Sequence, residues 1–488
     1  MNRPIHLENG NILIDPTETS CSRTLTIADG VIVSVDCEAP QDALLIDLDG
    51  RFALPGLVDS HLHLVQGASG MGEIDCSVAQ SRQQFFDLYI NASMQAKHND
   101  WLVGFGWDEE QLGNTPDSSW LPSKDTVPML AYRIDYHCAV LNEAALAMLP
   151  LDEIEMMNGG QNIRHGIVRE DALYEGVCPH LPVASNETKR KRVLQAITAM
   201  QSKGITLVGT MEDIADIENV LSPISLTAQM RMAAILLDAP EEQIFAQCRA
   251  FDTDLLHIFG FKAFLDGTLG SRTARMYLPW EDAKGTGLWA GIAQKGMLDT
   301  WIRDVVDAGF APVMHAIGDA AVGKALKALE GLDGTPSRIE HAQFIADKDL
   351  PFIHGQMFGV QPLHQPGDAA IADSAVGPIR AKQLHDWRRM LQNGSRLSFG
   401  SDWPIAKADP LAAMQAAVLH GLTVQESIYA STVEGARSLG CAKSGYLTKG
   451  SFGDVAILDT NPFECDWQNT RPSVTMTILA GNIVYTKD

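Results

Sequence analysis

Apolar positions along this chain fall into two patterns, one at the ends and one in the middle. Near the start, IHLENGNILID reads as two short strands around Asn9-Gly10, and TIADGVIVSV as two more around Asp29-Gly30. Both dipeptides favour two-residue hairpin turns, where the central residues need positive φ. At the other end, GDVAILD and TMTILAGNIVY are again short runs rich in β-branched residues. Strands at both termini predict one small β-sandwich assembled from residues 1–53 and 445–488.

The middle alternates apolar strands with polar-capped helical stretches. The predicted strands are 53–59, 205–211, 226–236, 258–267, 311–319, 337–345, 357–364 and 396–402, with helices over 189–203, 240–251, 294–308, 319–330 and 380–393. Eight strands alternating with helices predict an α/β fold, a closed parallel β/α barrel of the TIM type, spanning 54–65 and 186–444. The first two strands are separated by about 145 residues, whereas a βα unit needs only ~30. An inserted subdomain over 66–185 is therefore expected, with strands at WLVGFGWD and PMLAYRID. Loops that follow barrel strands lie at the active-site mouth, so the insert is expected to cover it.

Charge narrows the partners. The chain has 488 residues, with 37 Lys and Arg against 61 Asp and Glu, a net charge of −24. Such a surface repels phosphate backbones, so nucleic acid is not an expected partner and a small molecule is. The eight cysteines are scattered and form no CxxC pair, which speaks against a disulfide framework and a zinc ribbon. The N-terminus lacks a basic-then-apolar signal, and no apolar run approaches the ~20 residues that span a bilayer. A soluble, cytoplasmic protein without membrane association is expected.

The candidate chemistry sits at the strand ends. In PGLVDSHLHL, His61 and His63 are two apart at the end of an apolar strand, so both imidazoles project to one face. At the C-terminal end of a barrel strand that face is the mouth, where converging imidazoles suit a divalent ion. An isolated HxH is weak, but His315 closes APVMH, His341 closes SRIEH and Asp402 closes LSFGSD. Four histidines and an aspartate at four strand ends are hard to explain as separate core residues. Lys262 lies among Ile258, Phe259, Phe261 and Phe264, where a buried ammonium is costly. It either snorkels or pairs with Asp266, or is a neutral amine able to add carbon dioxide as a carbamate that bridges two cations.

With these motifs in place, the chain resembles the amidohydrolase superfamily, and within it amidohydrolase family 3. The matching segments are GRFALPGLVDSHLHL, FGWDEEQ, FKAFLDGTLGSRTA, VMHAIGDAA, RIEHAQFI, VQPLH, FGSDWPI and GYLTKGSFGDVAILD, in the family's order. The resemblance implies the barrel and composite sandwich, one or two divalent ions (usually zinc), and a homodimer. It implies that His61 and His63 bind a buried ion, that Lys262 is the carbamylated bridge, and that His315 and His341 hold the second ion. It gives Asp402 to metal contact and proton transfer. The expected reaction is hydrolysis of a C–N bond in an amide, N-formyl compound or carbamate by a metal-activated hydroxide, with His341 assisting at the oxyanion. Trp107, Asp108, His137, Arg272, Gln361, His364 and Trp403 lie in matching motifs and are the expected substrate contacts. Arg272 has a competing role as a partner of Asp266, and Trp107 as core of the insert. The alternatives are deamination of a ring amidine, ester hydrolysis on the same scaffold, or a metal-free binding or regulatory module.

Overall fold

Eight parallel strands follow one another around a single sheet in chain order. They are β1 (Leu57–Leu62), β2 (Ile205–Glu212), β3 (Arg231–Leu236), β4 (Leu256–Phe264), β5 (Ala311–Ala316), β6 (Arg338–His341), β7 (Met357–Val360) and β8 (Arg396–Phe399). The computed structural model describes residues 3–94, 96, 101–123, 127–182, 184–332, 334 and 336–487. Strands such as β2, β3 and β5 are buried along their whole length, which explains why they read as continuous apolar runs. Helices face them with apolar stripes. In α1 (Leu298–Asp307), Leu298, Trp301, Ile302 and Val305 are buried, the i, i+3, i+4, i+7 spacing of one helical face. Two further helices matter below, α2 (Asp319–Ala328) and α3 (Gln365–Val376).

The sheet returns on itself where β8 meets β1. The Ser60 and Ser398 hydroxyls lie 3.1 Å apart, and Leu62 pairs with Trp403 just past β8. Across this seam Asp402 N donates to His61 O (2.7 Å) and His63 N to Trp403 O (2.8 Å). Gly400 permits the approach: a Cβ there would lie 2.5 Å from His61 Cβ and 2.7 Å from His61 N. Eight parallel strands and their helices give the expected barrel.

The strand boundaries differ from those read in the sequence. The run 53–59 divides at Gly56: Phe52–Pro55 joins the sandwich, and β1 begins at Leu57. A side chain at Gly56 would meet Thr206 Oγ1 at 2.1 Å, so the crossing between the two sheets requires glycine. The stretch 226–236 begins as helix (Ser222–Ala228), stops at Gln229 with φ 48°, and becomes strand only at Arg231. Other predicted strands overran into the loops of the mouth.

The sandwich has a four-stranded sheet (Val31–Val35, Leu25–Ala28, Ile5–Glu8, Leu44–Asp47) and a six-stranded one. The latter combines Asn482–Thr486, Val474–Leu479 and Val455–Leu458 with Phe52–Pro55, Asn11–Leu13 and Cys21–Ser22. Ile5, Leu7, Ile27, Ala53, Ile457 and Ile478 from both sheets share its core. Asp29 and Gly30 form the expected hairpin turn, with φ of 48° and 81°. Asn9-Gly10 does not: the strands on either side belong to different sheets. Gly10 is needed there for space, since a Cβ would meet Leu48 Cδ1 at 2.2 Å.

Barrel and sandwich form one compact unit (Met1–Val65 and Val193–Asp488), and Gln66–Arg192 forms a second. The second unit has its own five-stranded sheet: Ile167–Arg169, Cys138–Leu141, Met129–Arg133, Leu102–Trp107 and Ile74–Asp75. Its core is built on Phe85, Tyr89, Trp107, Trp120, Met129 and Val140. Among the described residues no helix is long and apolar enough to cross a membrane.

Candidate metal centre

His61 lies within β1 and His63 just beyond it, and the seam sets both beside Asp402. Their Nε2 atoms are 3.3 Å and 3.4 Å from Asp402 Oδ1. His61 Nδ1–H donates to Glu340 Oε2 at 2.5 Å, and Glu340 Oε1 is 2.8 Å from Arg338 Nε. With its Nδ1 proton committed to Glu340, His61 turns Nε2 toward the Asp402 oxygen, an arrangement that a proton or a cation between the two would stabilise.

The remaining histidines adjoin this group. His341 ends β6, and its ring centroid is 5.1 Å from that of His61 and 4.5 Å from that of His315. His364 stacks toward His341 at 6.5 Å. One ligand atom each from His61, His63 and Asp402 lies within 4.8 Å of the others, and the same holds for His341, His364 and Asp402. His315 Nε2 donates to the Gly267 carbonyl at 3.2 Å, with Asp266 Oδ1 at 3.7 Å. Outer partners of this kind orient ligating imidazoles.

Electrostatics suit a cation. Burial pushes His63, His341 and His364 below the usual imidazole range, His341 strongly, so they stand as neutral ligands. Burial would raise Asp402, but His61 and His63 beside it hold its carboxyl well below the ordinary range. Glu340 behaves alike: against the penalty of burial, Arg338 and His61 bring it to about 2. Lys262, 5% exposed in β4, is lowered by burial to about 8, partly countered by Glu340 and Asp402. His341 Nδ1 and His364 Nε2 are buried without hydrogen-bond partners. Neutral imidazoles, an ionised carboxylate and unpartnered ring nitrogens fit a divalent ion.

The other expected contacts divide. Gln361 follows β7 and is buried; its Nε2 donates to Gly359 O (3.2 Å), while Oε1 has no hydrogen-bond partner. Trp403 is fixed by its backbone, N donating to Ser401 Oγ and O accepting from His63 N. Arg272 forms a bidentate pair with Asp282 (2.6 and 2.9 Å) and also donates to the Leu269 and Gly270 carbonyls. Its partner is thus not Asp266, whose carboxylate accepts from the backbone of Arg275, Ile317 and Gly318. Trp107 lies in the insert's core, 1% exposed, its indole N–H donating to Ala131 O. Asp108 caps the short helix Glu109–Leu112, and His137 Nδ1 is 3.0 Å from Glu170 Oε2, both within the insert.

Sequence reasoning passed over Glu340 and Arg338. A signal existed: two charges two apart in a fully buried strand share a face and must be paired. It also passed over Asp59, which accepts from Ser401 N (2.9 Å) across the seam. Gly359 makes room for Glu340, since a Cβ there would lie 2.2 Å from its Oε2.

Residues 44–485 match the family model described as Amidohydrolase family. The chain belongs to that family. This amidohydrolase is 26% identical to protein LONG AFTER FAR-RED 3 of Arabidopsis thaliana, over 98% of its own length and 91% of that protein's. It is 21% identical to N-substituted formamide deformylase of Arthrobacter pascens, over 99% and 98% of the two chains. The solved structure of an uncharacterized metal-dependent hydrolase from Pyrococcus furiosus matches it with a TM-score of 0.76 at 25% identity, covering 94% of this chain and 100% of that one. The amidohydrolase is thus a hydrolase, and its family implies a divalent metal ion.

Proposed function

We propose that this amidohydrolase cleaves a C–N bond in a small molecule, an amide, N-formyl compound or carbamate, with one or two divalent ions, zinc foremost, at the barrel mouth. The observation that carries the reading is the convergence of His61 Nε2 and His63 Nε2 on Asp402 Oδ1. The likeness to a formamide deformylase supports the C–N class.

When bound, such an ion lowers the pKa of water from 15.7 to roughly 7 and polarises a carbonyl. The chain's own residues do the rest. Glu340 holds the Nδ1 proton of His61, which leaves Nε2 as the atom that would hold such an ion. Asp402, kept ionised by its histidine neighbours, accepts a proton from the attacking water and passes it to the leaving nitrogen. His341, kept neutral by burial, serves as a ligand or as a donor to the developing oxyanion. Burial, which lowers Lys262 to about 8, eases loss of its proton; the neutral amine, adding carbon dioxide and releasing a proton to become a carbamate, would supply negative charge for two cations. Eight unpaired cysteines support a cytoplasmic setting.

The test is a screen of N-formyl amines, N-acyl amines, carbamates, ring amidines and aryl esters, with enzyme as purified and after chelation. Cleavage of a C–N substrate that stops on chelation and returns with Zn²⁺ is expected. Turnover indifferent to the chelator, or confined to ring amidines or esters, would overturn the proposal.

A further inference from the structure

We propose that His364 is a metal ligand, and that with His341 and Asp402 it forms a cation position distinct from the one built by His61, His63 and Asp402. The inference rests on the metal-dependent reading above and changes the role of His364, whose motif suggested a substrate contact.

Three observations carry it. One ligand atom from each of His341, His364 and Asp402 lies within 4.8 Å of the others. His341 Nδ1 and His364 Nε2 are both buried, and neither has a hydrogen-bond partner. A buried ring nitrogen stripped of water and left without a partner is unfavourable, and two of them on imidazoles grouped with one carboxylate call for a shared electrophile. Finally, the acid best placed to claim His364 is already engaged. Asp368 lies one turn on in α3, and its Oδ2 accepts from Gln343 Nε2 (2.9 Å) and His385 Nε2 (2.8 Å).

The local fold explains the placement. After β7, the turn Pro362–His364 leads directly into α3, which starts at Gln365, so His364 is set at the junction and not on a free loop. His341, the last residue of β6, has φ 69°, and Asp402 has φ 57°; both backbones turn sharply where the strands end. Two imidazoles and one carboxylate leave coordination positions open for water or substrate, and they suit Zn²⁺, Co²⁺ or Fe²⁺ better than Ca²⁺ or Mg²⁺. With Asp402 common to both groups, the two positions are coupled through one side chain.

The experiment is a Co²⁺ titration of chelator-treated protein, followed by visible absorption and by metal analysis, for the native chain and His364→Gln. The native protein should take up two equivalents. In His364→Gln, one should weaken by at least about tenfold, the scale of disturbing a ligand's surroundings, and the spectrum should change. The equivalent at His61 and His63 should remain and reports that the mouth is intact. Identical stoichiometry, affinity and spectrum in His364→Gln would overturn the proposal, as would an altered KM with unaltered cobalt binding, which would return His364 to the substrate. If the native protein takes up no cobalt at all, the metal-dependent reading itself fails. As a second variant, His364→Cys retains a ligating atom and should add a thiolate-to-cobalt charge-transfer band; a folded His364→Cys protein without that band also sinks the idea.

Discussion

Two clusters of buried charge occupy opposite ends of the same barrel, and they are built to opposite rules. At the N-terminal end of β3, Arg231 meets Asp454 of the sandwich through Nε–Oδ2 (2.6 Å) and a second bond to Oδ1 (3.1 Å). Nη1 donates to Asp254 O, Ala480 N donates to Asp454 Oδ1, and the Phe452 ring centroid lies 3.5 Å from the guanidinium carbon. Every guanidinium nitrogen and both carboxylate oxygens there have a partner. At the C-terminal end, His61, His63, His341 and His364 face one carboxylate, and two ring nitrogens have no hydrogen-bond partner. A saturated cluster locks sandwich to barrel; an unsaturated one is kept for a guest.

That contrast is breakable, and the largest effect should come from the mouth. Asp402→Asn should lower kcat/KM by about 10²–10⁴-fold, the span of acid–base groups, while melting temperature holds or rises. Substrate turnover and a thermal scan of the same preparation decide it; a collapse in stability would place Asp402 with the structural cluster.

The mirror experiment is Arg231→Ala, which leaves Asp454 buried and unpaired. Unfolding stability should fall by about 3–5 kcal/mol in denaturant titration, with kcat of the folded fraction unchanged. Replacing both partners (Arg231→Met with Asp454→Leu) should recover most of the loss.

Gly400→Ala probes the seam that brings the two halves of the mouth together. Its Cβ would lie 2.5 Å from that of His61, so the imidazole must shift. Displacement on that scale should cost about 10²-fold in kcat/KM, read as activity at saturating metal.

The last effect is read against pH and concerns Glu212 at the end of β2. It accepts from Val65 N (3.0 Å) and from the Thr210 hydroxyl (2.6 Å), yet burial lifts its carboxyl to about 8. A carboxyl raised in the folded state holds its proton longer there than in the unfolded chain, where its value is about 4.3. Between about pH 4.3 and 8 this group alone lowers stability by up to about 1.4 kcal/mol per pH unit, and the loss levels off above. Glu212→Gln should flatten the decline, so denaturation midpoints of the two proteins should diverge in its favour toward pH 8. Parallel curves would mean that Glu212 is already compensated, like Arg231.

Much of the mouth was legible in the sequence because strand alternation is a strict geometric rule. His61 and His63 had to share a face, and His315, His341 and Asp402 each sat where apolar runs end. Roles that depend on neighbours distant in sequence were not legible. Nothing local tells that Trp107 packs inside the insert with its indole on Ala131, or that Arg272 takes Asp282 and not Asp266. Asn9-Gly10 has the composition of a hairpin turn, but its flanking strands were claimed by different sheets. Glu340 was legible in principle, since a buried strand cannot hold its charge without the partner Arg338 two residues away; that it holds His61 depends on a residue 279 positions distant.

The seam has a consequence for how the protein is made. Asp59 and Ser401, bonded across it, are 342 residues apart, and Asp402 enters the cage only once β8 has met β1. A growing polypeptide on the ribosome therefore carries His61 and His63 for most of its synthesis with no carboxylate opposite them. On the proposed reading, ion capture becomes one of the last events in maturation, and a chain truncated before residue 400 would hold the imidazoles but not Asp402.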